Sequence, residues 1–269
     1  MTNSPDTPGP YTLEELDEMG VAHDEPPEFF CEHCGKALSA RCYLLLGGTA
    51  WVPYGQCQCE GAITERRREE DRAHAQAVQR RIRELQKIGI EPRYQNAILC
   101  RDDVISYLAT FGEHKGNGLF IQGISGSGKT SLCSAIVRDL HDAGHSVFLV
   151  SASEMLETIQ ETFDKPASTA NEIARYAAYE LLAIDDMGRE SGSEWAVSTM
   201  YRILNKRYGC MRPTIIASEH KLSSLGVRMS RRGDPERVDA ILSRIKQVCA
   251  LVKLPDVDYR IARNGFPVR

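Results

Sequence analysis

The rhythm of apolar and polar positions changes twice along this chain. Residues 11–20 carry a short helical pattern, with Thr12 placed to cap it, inside a stretch otherwise rich in Pro, Gly and acid. Residues 63–87 contain no Gly or Pro. There Ala73, Ala77, Ile82 and Leu85 form only a thin apolar stripe among Arg, Glu and Gln, which predicts an exposed connecting helix. Arg66–Glu70 and Arg67–Asp71, four residues apart, support it. Beyond Gly89 the pattern becomes one of compact apolar runs separated by amphipathic segments. The runs 118–123, 145–151, 181–185, 214–218 and 249–254 predict five strands. Helices are predicted over 129–143, 154–163, 170–179, 194–208 and 235–246. Trp195, Val197, Met200, Tyr201 and Leu204 lie on the apolar side of the fourth. Strands alternating with helices imply an α/β domain, a mostly parallel five-stranded sheet covered on both faces.

Composition sharpens this picture in two places. Of 269 residues, 42% are hydrophobic and 26% charged, an ordinary globular balance that excludes a disordered or fibrous chain. No run of 18 apolar residues predicts a membrane span, and the first residues lack the basic and apolar regions of a secretion signal. A cytoplasmic location without membrane attachment is therefore expected. The net charge of −4 is unevenly spread. Residues 1–30 hold eight acids and no Lys or Arg, whereas residues 221–269 hold eleven basic residues and five acidic ones. That asymmetry permits a local basic surface near the C-terminal end. The expected organisation is an acidic flexible tail (1–28), a cysteine module (29–62), the charged connecting helix (63–88) and the α/β domain (89–269). For the tail, a solvated segment and a docking peptide are both open readings. For the connecting helix, a solvated face competes with nucleic-acid binding through Arg66, Arg67, Arg68, Arg80 and Arg81.

The first candidate chemistry lies between the strand at 118–123 and the helix that follows it. Gly123-Ile124-Ser125-Gly126-Ser127-Gly128-Lys129-Thr130 fits G-x-x-x-x-G-K-[ST], with Ser131 continuing into the helix. Glycines let the chain curl so that its N–H groups face phosphate oxygens, and the helix start adds its positive dipole end. Lys129 supplies charge to the β- and γ-phosphates, and the Thr130 hydroxyl suits Mg2+. Four apolar residues then lead into Asp185 and Asp186, as in a Walker B strand. Asp185 is expected to hold Mg2+ through water and Asp186 to orient or activate the attacking water. The order of elements suggests that this strand adjoins the P-loop strand. ATP and Mg2+ are thus the expected ligands.

A second candidate site is metallic. Cys31 and Cys34, then Cys57 and Cys59, form two close pairs, so a four-cysteine site for Zn2+ is expected. Cys42 or His33 can replace one ligand in such a segment. In so small a unit the metal supplies folding energy that the core cannot. Cys100, Cys133, Cys210 and Cys249 are expected as small core residues.

With these residues in place the chain resembles a known family. LLAIDDMGRE from Leu181, SEWAVSTMYRILNKRYGCMRPTIIASEHKLSSL from Ser193, AILSRI from Ala240, the Arg93-Tyr94 segment and the cysteine module together resemble the DnaC/DnaI-type replicative helicase loaders and the related IstB transposition ATPases, which are AAA+ proteins. The resemblance covers most of the chain after Glu28. It implies that Arg93 and Tyr94 lie near the adenine, that 214–218 is the sensor strand, and that Arg244 reaches as an arginine finger into the ATP site of a neighbouring subunit. Many relatives carry Asn where this chain has Glu219, and Ser218 is then a candidate for the polar role. The resemblance further implies an AAA+ core without a full lid, with Arg260 a candidate late phosphate sensor. Its implied partners are a hexameric replicative helicase, single-stranded DNA and further copies of itself in the presence of ATP. Lys221, Arg228, Arg231 and Arg232 form a basic stretch, expected as a loop, suited to DNA. A transposition helper ATPase and a nucleotide-controlled adaptor with negligible turnover remain as alternatives.

Overall fold

A computed structural model of the chain describes residues 10–45, 48–164, 166–189, 193–231 and 233–262. Residues 1–9 of the expected tail, Arg232 and residues 263–269 lie outside this set. Two compact units divide near Arg80.

In the first unit a short helix, α1 (Leu13–Glu18), precedes a three-stranded antiparallel sheet, β1 (Phe29–Phe30), β2 (Ala37–Leu45) and β3 (Gly48–Tyr54). Thr12 caps α1 reciprocally: its hydroxyl accepts the Glu15 N–H, and the Glu15 carboxylate accepts the Thr12 N–H. Tyr11 pairs its backbone with Cys42, and Leu16 is fully buried. Together with Cys42 these residues form a small core that Val21, Leu44 and Trp51 flank. The Trp51 indole donates to the Asp24 carbonyl, and its ring meets His23 edge to face. Much of the expected flexible tail is thus folded against the hairpin. Tyr11 and Leu16 supply the contact and the capping box fixes the start of the helix, although the apolar surface so buried is small. Cys42 belongs to this core.

The connecting helix, α2 (Glu60–Lys87), starts slightly earlier than its pattern suggested. Arg66 donates to the Cys57 carbonyl, while Glu65 takes Arg68 and Arg72.

The second unit is the expected α/β domain. Its sheet comprises β4 (Gly118–Gln122), β5 (Val147–Ser151), β6 (Leu181–Asp185), β7 (Thr214–Ser218) and β8 (Cys249–Lys253), all parallel in the order β5-β6-β7-β4-β8. Alternate strand residues serve opposite layers. Leu182, Ile184, Phe120 and Ile216 face α5 (Ala152–Gln160), α6 (Pro166–Ala178), α7 (Glu194–Gly209) and α9 (Pro235–Val248). Leu181, Ala183, Leu119, Ile121, Ile215 and Ala217 face α3 (Asp102–Ala109) and α4 (Lys129–Asp142).

The strand order corrects one expectation. β7 lies between β6 and β4, pairing Leu182 with Thr214 on one side and Leu119 with Ile215 on the other. The acidic strand is therefore one place removed from the P-loop strand. The basic stretch after β7 is also not a loop: α8 (Leu222–Ser230) forms there and buries Leu225, Gly226 and Met229. Cys133 is buried as expected and Cys249 half-buried, but Cys100 and Cys210 are exposed. A last helical turn, α10 (Tyr259–Ala262), follows β8. Among the described residues no helix is long and apolar enough to cross a membrane.

Candidate functional site

β4 ends at Gln122, and the chain turns back at once into α4. Gly123 keeps contact with the sheet, its N–H donating to the Ser218 carbonyl at 3.2 Å. Gly126 and Gly128 take φ of +75° and +93°, left-handed values that a side chain resists. The loop closes on itself through Ser127 N–H to Ile124 O. α4 begins at Lys129, so the N–H groups of its first turn, including those of Thr130 and Ser131, have no helical carbonyl to bond. The Lys129 side chain is 5% exposed and donates to the carbonyls of Gly123 and Ile124, each at 3.0 Å. Ser127 Oγ is buried without a partner among the described residues.

β6 delivers the two aspartates to this loop although it is not β4's neighbour, because α4 crosses the sheet toward it. Thr130 Oγ1 donates to Asp185 Oδ2 at 2.5 Å. Asp185 is almost fully buried, and burial pushes its pKa above the usual carboxylate value; the Thr130 hydroxyl partly offsets this. A hydroxyl and a carboxylate oxygen side by side, next to a glycine-rich loop, suit a hard divalent cation such as Mg2+.

Asp186 sits at φ +53°, unusual for a residue with a side chain. The turn it starts is fixed from several sides. Met187 N–H bonds Ala217 O, Met187 O accepts the Ser218 hydroxyl at 2.6 Å, and Gly188 O accepts Arg228 Nε at 3.0 Å. Ser218, expected in a polar role toward nucleotide, is fully buried and commits its hydroxyl to this turn. Arg228, expected on a DNA-binding loop, likewise braces it. Strain held in place by so many bonds is typical of positions with a chemical task.

Arg189, given no role on sequence grounds, and Glu219, which stands where many relatives carry Asn, both reach the site. Arg189 donates to Glu219 at 2.6 Å and lies 3.4 Å from Asp186 Oδ2. Glu219 in turn is 3.9 Å from Lys129 Nζ. After β8 the chain returns over the loop, with Leu254 N–H bonding Gln122 O and Tyr259 N–H bonding Gly126 O. The Asp258 carboxylate fills the space that a side chain at Gly126 would need. Arg260 bonds Asp258 through its backbone N–H and is exposed. For Arg189 and Asp258 the local signal was closeness to motifs already read, whereas Glu219 and Arg260 were singled out through the resemblance.

The other expected site residues are placed less directly. Arg93 and Tyr94 lie in a 3-10 turn (Pro92–Tyr94), Arg93 exposed and Tyr94 against the core. Arg138 of α4 ties the following residues down by donating to Gln95 O and Ala97 O. Arg244 lies along its own domain. It donates to Asn205 Oδ1 at 2.6 Å and to Ala240 O, with its guanidinium over the rings of Tyr201 and Tyr208.

In the first unit the four expected sulfurs converge. Those of Cys31, Cys34, Cys57 and Cys59 all lie within 4.8 Å of one another, with Cys31–Cys59 at 3.7 Å and Cys34–Cys57 at 3.5 Å. A tetrahedron with Zn–S bonds of about 2.3 Å has sulfurs about 3.8 Å apart, so the donor set fits Zn2+. Cys42 and His33 are not members of the cluster. N–H groups of His33 and Cys34 point at the Cys31 sulfur and lower its pKa. The Lys36 N–H favours a Cys34 thiolate, yet the neighbouring Cys57 sulfur, burial and the other thiols push its pKa up. Four crowded sulfurs do not ionise together without a cation among them.

Residues 64–265 match the family described as IstB-like ATP binding protein. The replicative helicase loader DnaI of Bacillus subtilis (strain 168) is 22% identical over 211 residues, covering 76% of this chain and 67% of that one. The replicative helicase loader DnaC of Escherichia coli (strain K12) is 22% identical over 163 residues, 56% of this chain and 66% of that one. The chain thus spans about two thirds of the length of these curated relatives. The crystal structure of the DnaC helicase loader superposes with a TM-score of 0.53 at 20% identity, over 61% of this chain and 99% of that one. That likeness shows the fold.

Proposed function

This chain belongs to the family of IstB-like ATP binding proteins, and on that premise we propose that it is a Mg2+-dependent ATPase that loads a hexameric replicative helicase onto single-stranded DNA. The observation that carries the nucleotide half is the bond between Thr130 and Asp185 beneath the Gly123–Thr130 loop. Two motifs 55 residues apart meet at one point, next to Lys129 and the start of a helix. In this reading the N–H groups of 124–131 and the Lys129 ammonium bind the phosphates. Thr130 and Asp185 hold Mg2+, which neutralises phosphate charge when bound. Asp186 orients the attacking water. Arg93 and Tyr94 flank the adenine. Arg244 leaves its tyrosine seat to complete the site of a neighbouring copy, so the working form is a homo-oligomer with ATP. The Cys31, Cys34, Cys57 and Cys59 cluster holds Zn2+ as a structural staple.

Similarity to DnaI and DnaC supports the loading half. The N-terminal unit makes the helicase contact, and Lys221 and Arg231, which flank α8, meet DNA, in the cytoplasm. The test is a pull-down of the host's replicative helicase by the full chain with and without ATP. An ATP-dependent complex is expected, and its absence under all nucleotide conditions contradicts loading. The resemblance to IstB transposition ATPases, together with the match to IstB-like ATP binding proteins, supports a second reading, a transposition helper. Retention of a transposase instead of the helicase in the same experiment selects it.

A further inference from the structure

We propose that Arg189 is a charge-compensating positioning residue: by holding Glu219 it lets Lys129 and an incoming γ-phosphate share a site that already contains three carboxylates. The inference rests on the nucleotide-site reading above. The crowding is visible in the distances. Asp185 and Asp186 end β6, and Glu219 follows the end of β7, the strand between β6 and the P-loop strand. Glu219 Oε1 lies 3.9 Å from Lys129 Nζ and 2.6 Å from Arg189. Arg189 also reaches to 3.4 Å from Asp186. Around Lys129 and Arg189 stand the carboxylates of Asp185, Asp186 and Glu219, with the Asp258 carboxylate packed at Gly126 as well; Arg228, the other cation nearby, is committed to Gly188 O.

Glu219 has two cationic neighbours among the described residues, and the shorter contact decides which one holds it. Bound to Arg189, the carboxylate leaves Lys129 to its loop carbonyls and available to phosphate. Without Arg189, Lys129 is the cation left within ion-pair reach of Glu219, and a triphosphate meets a carboxylate in the place of its lysine. Lys129 serves the terminal phosphates, so the penalty falls on ATP more than on ADP. Arg189 is half-exposed at the end of a turn whose backbone Ala217, Ser218 and Arg228 hold, so its side chain is dispensable for folding.

The test is a cycle of Arg189→Ala and Glu219→Gln in the full chain, read by equilibrium binding of fluorescent ATP and ADP analogues with Mg2+. Arg189→Ala is expected to weaken ATP by roughly tenfold or more while changing ADP much less. Glu219→Gln added to Arg189→Ala is expected to restore ATP affinity, because the repelling charge has gone. Arg189→Lys is expected to stay close to the parent. An unchanged ATP-to-ADP ratio in Arg189→Ala overturns the proposal, as does a double variant no tighter than the single one. A parent protein that binds neither nucleotide overturns the nucleotide-site reading as well, which separates the two failures.

Discussion

Among the described residues, Arg207 is the side chain that makes the most hydrogen bonds in the second unit. It is fully buried and, among the described residues, has no carboxylate partner; instead it donates to Thr214 Oγ1 and to the carbonyls of Tyr176, Ala177, Tyr179, Glu180 and Pro213. Several of these are the unbonded carbonyls at the C-terminal end of α6, where a cation is favoured. Burial presses its pKa down, with the Arg212 charge adding to that, yet the cage keeps a planar five-donor group satisfied. Arg207→Met preserves bulk and strands the carbonyls. It is expected to lower unfolding stability by about 3 kcal/mol or more, measured by urea denaturation. A loss below about 1 kcal/mol would mean that water replaces the guanidinium without difficulty. The same residue scale shows what sequence reading can reach. The convergence of Lys129, Thr130 and the aspartates was legible because each sits in a contiguous motif. Arg189 and Glu219 are thirty residues apart, so their pairing depends on two loops meeting, which no local pattern encodes.

The same division runs through the elements. The five strands of the parallel sheet were legible because both faces are buried, leaving near-continuous apolar runs. Their order was not, since crossovers rather than strand composition place β7 beside β4. α8 was missed because its segment is short, rich in Ser and broken by Gly226. That glycine lets α8 pack closely: a side chain there would meet the end of Leu242 at 2.5 Å, so Leu242 would have to shift. The hairpin of β2 and β3 was hidden by Arg41 and Pro53, and a segment with so few buried residues needs another source of stability. The four sulfurs supply it when they hold a metal. Metal analysis is expected to find about one zinc per chain. Chelation should collapse hydrogen-exchange protection of the β2–β3 amides, and a Cys34→Ser/Cys57→Ser double variant should behave like the chelated protein. Protection that survives metal removal would show that the hairpin stands on its small apolar core alone.

At the scale of the whole molecule, the four-cysteine cluster lies in the first unit and the Thr130–Asp185 contact in the second. Residues 1–30 carry eight acids and no Lys or Arg, whereas residues 221–269 carry eleven basic and five acidic residues, a distribution suited to different partners. Loading, oligomerisation and the role of Arg244 all presuppose that the second unit grips a triphosphate. The direct measurement is equilibrium binding of labelled ATP with Mg2+ to the full chain, alongside Lys129→Ala. The parent is expected to saturate at about one ATP per chain and the variant to bind at least about tenfold more weakly. A parent that retains no ATP, or a variant that binds as the parent does, would contradict the assignment of the Lys129 loop as the phosphate site.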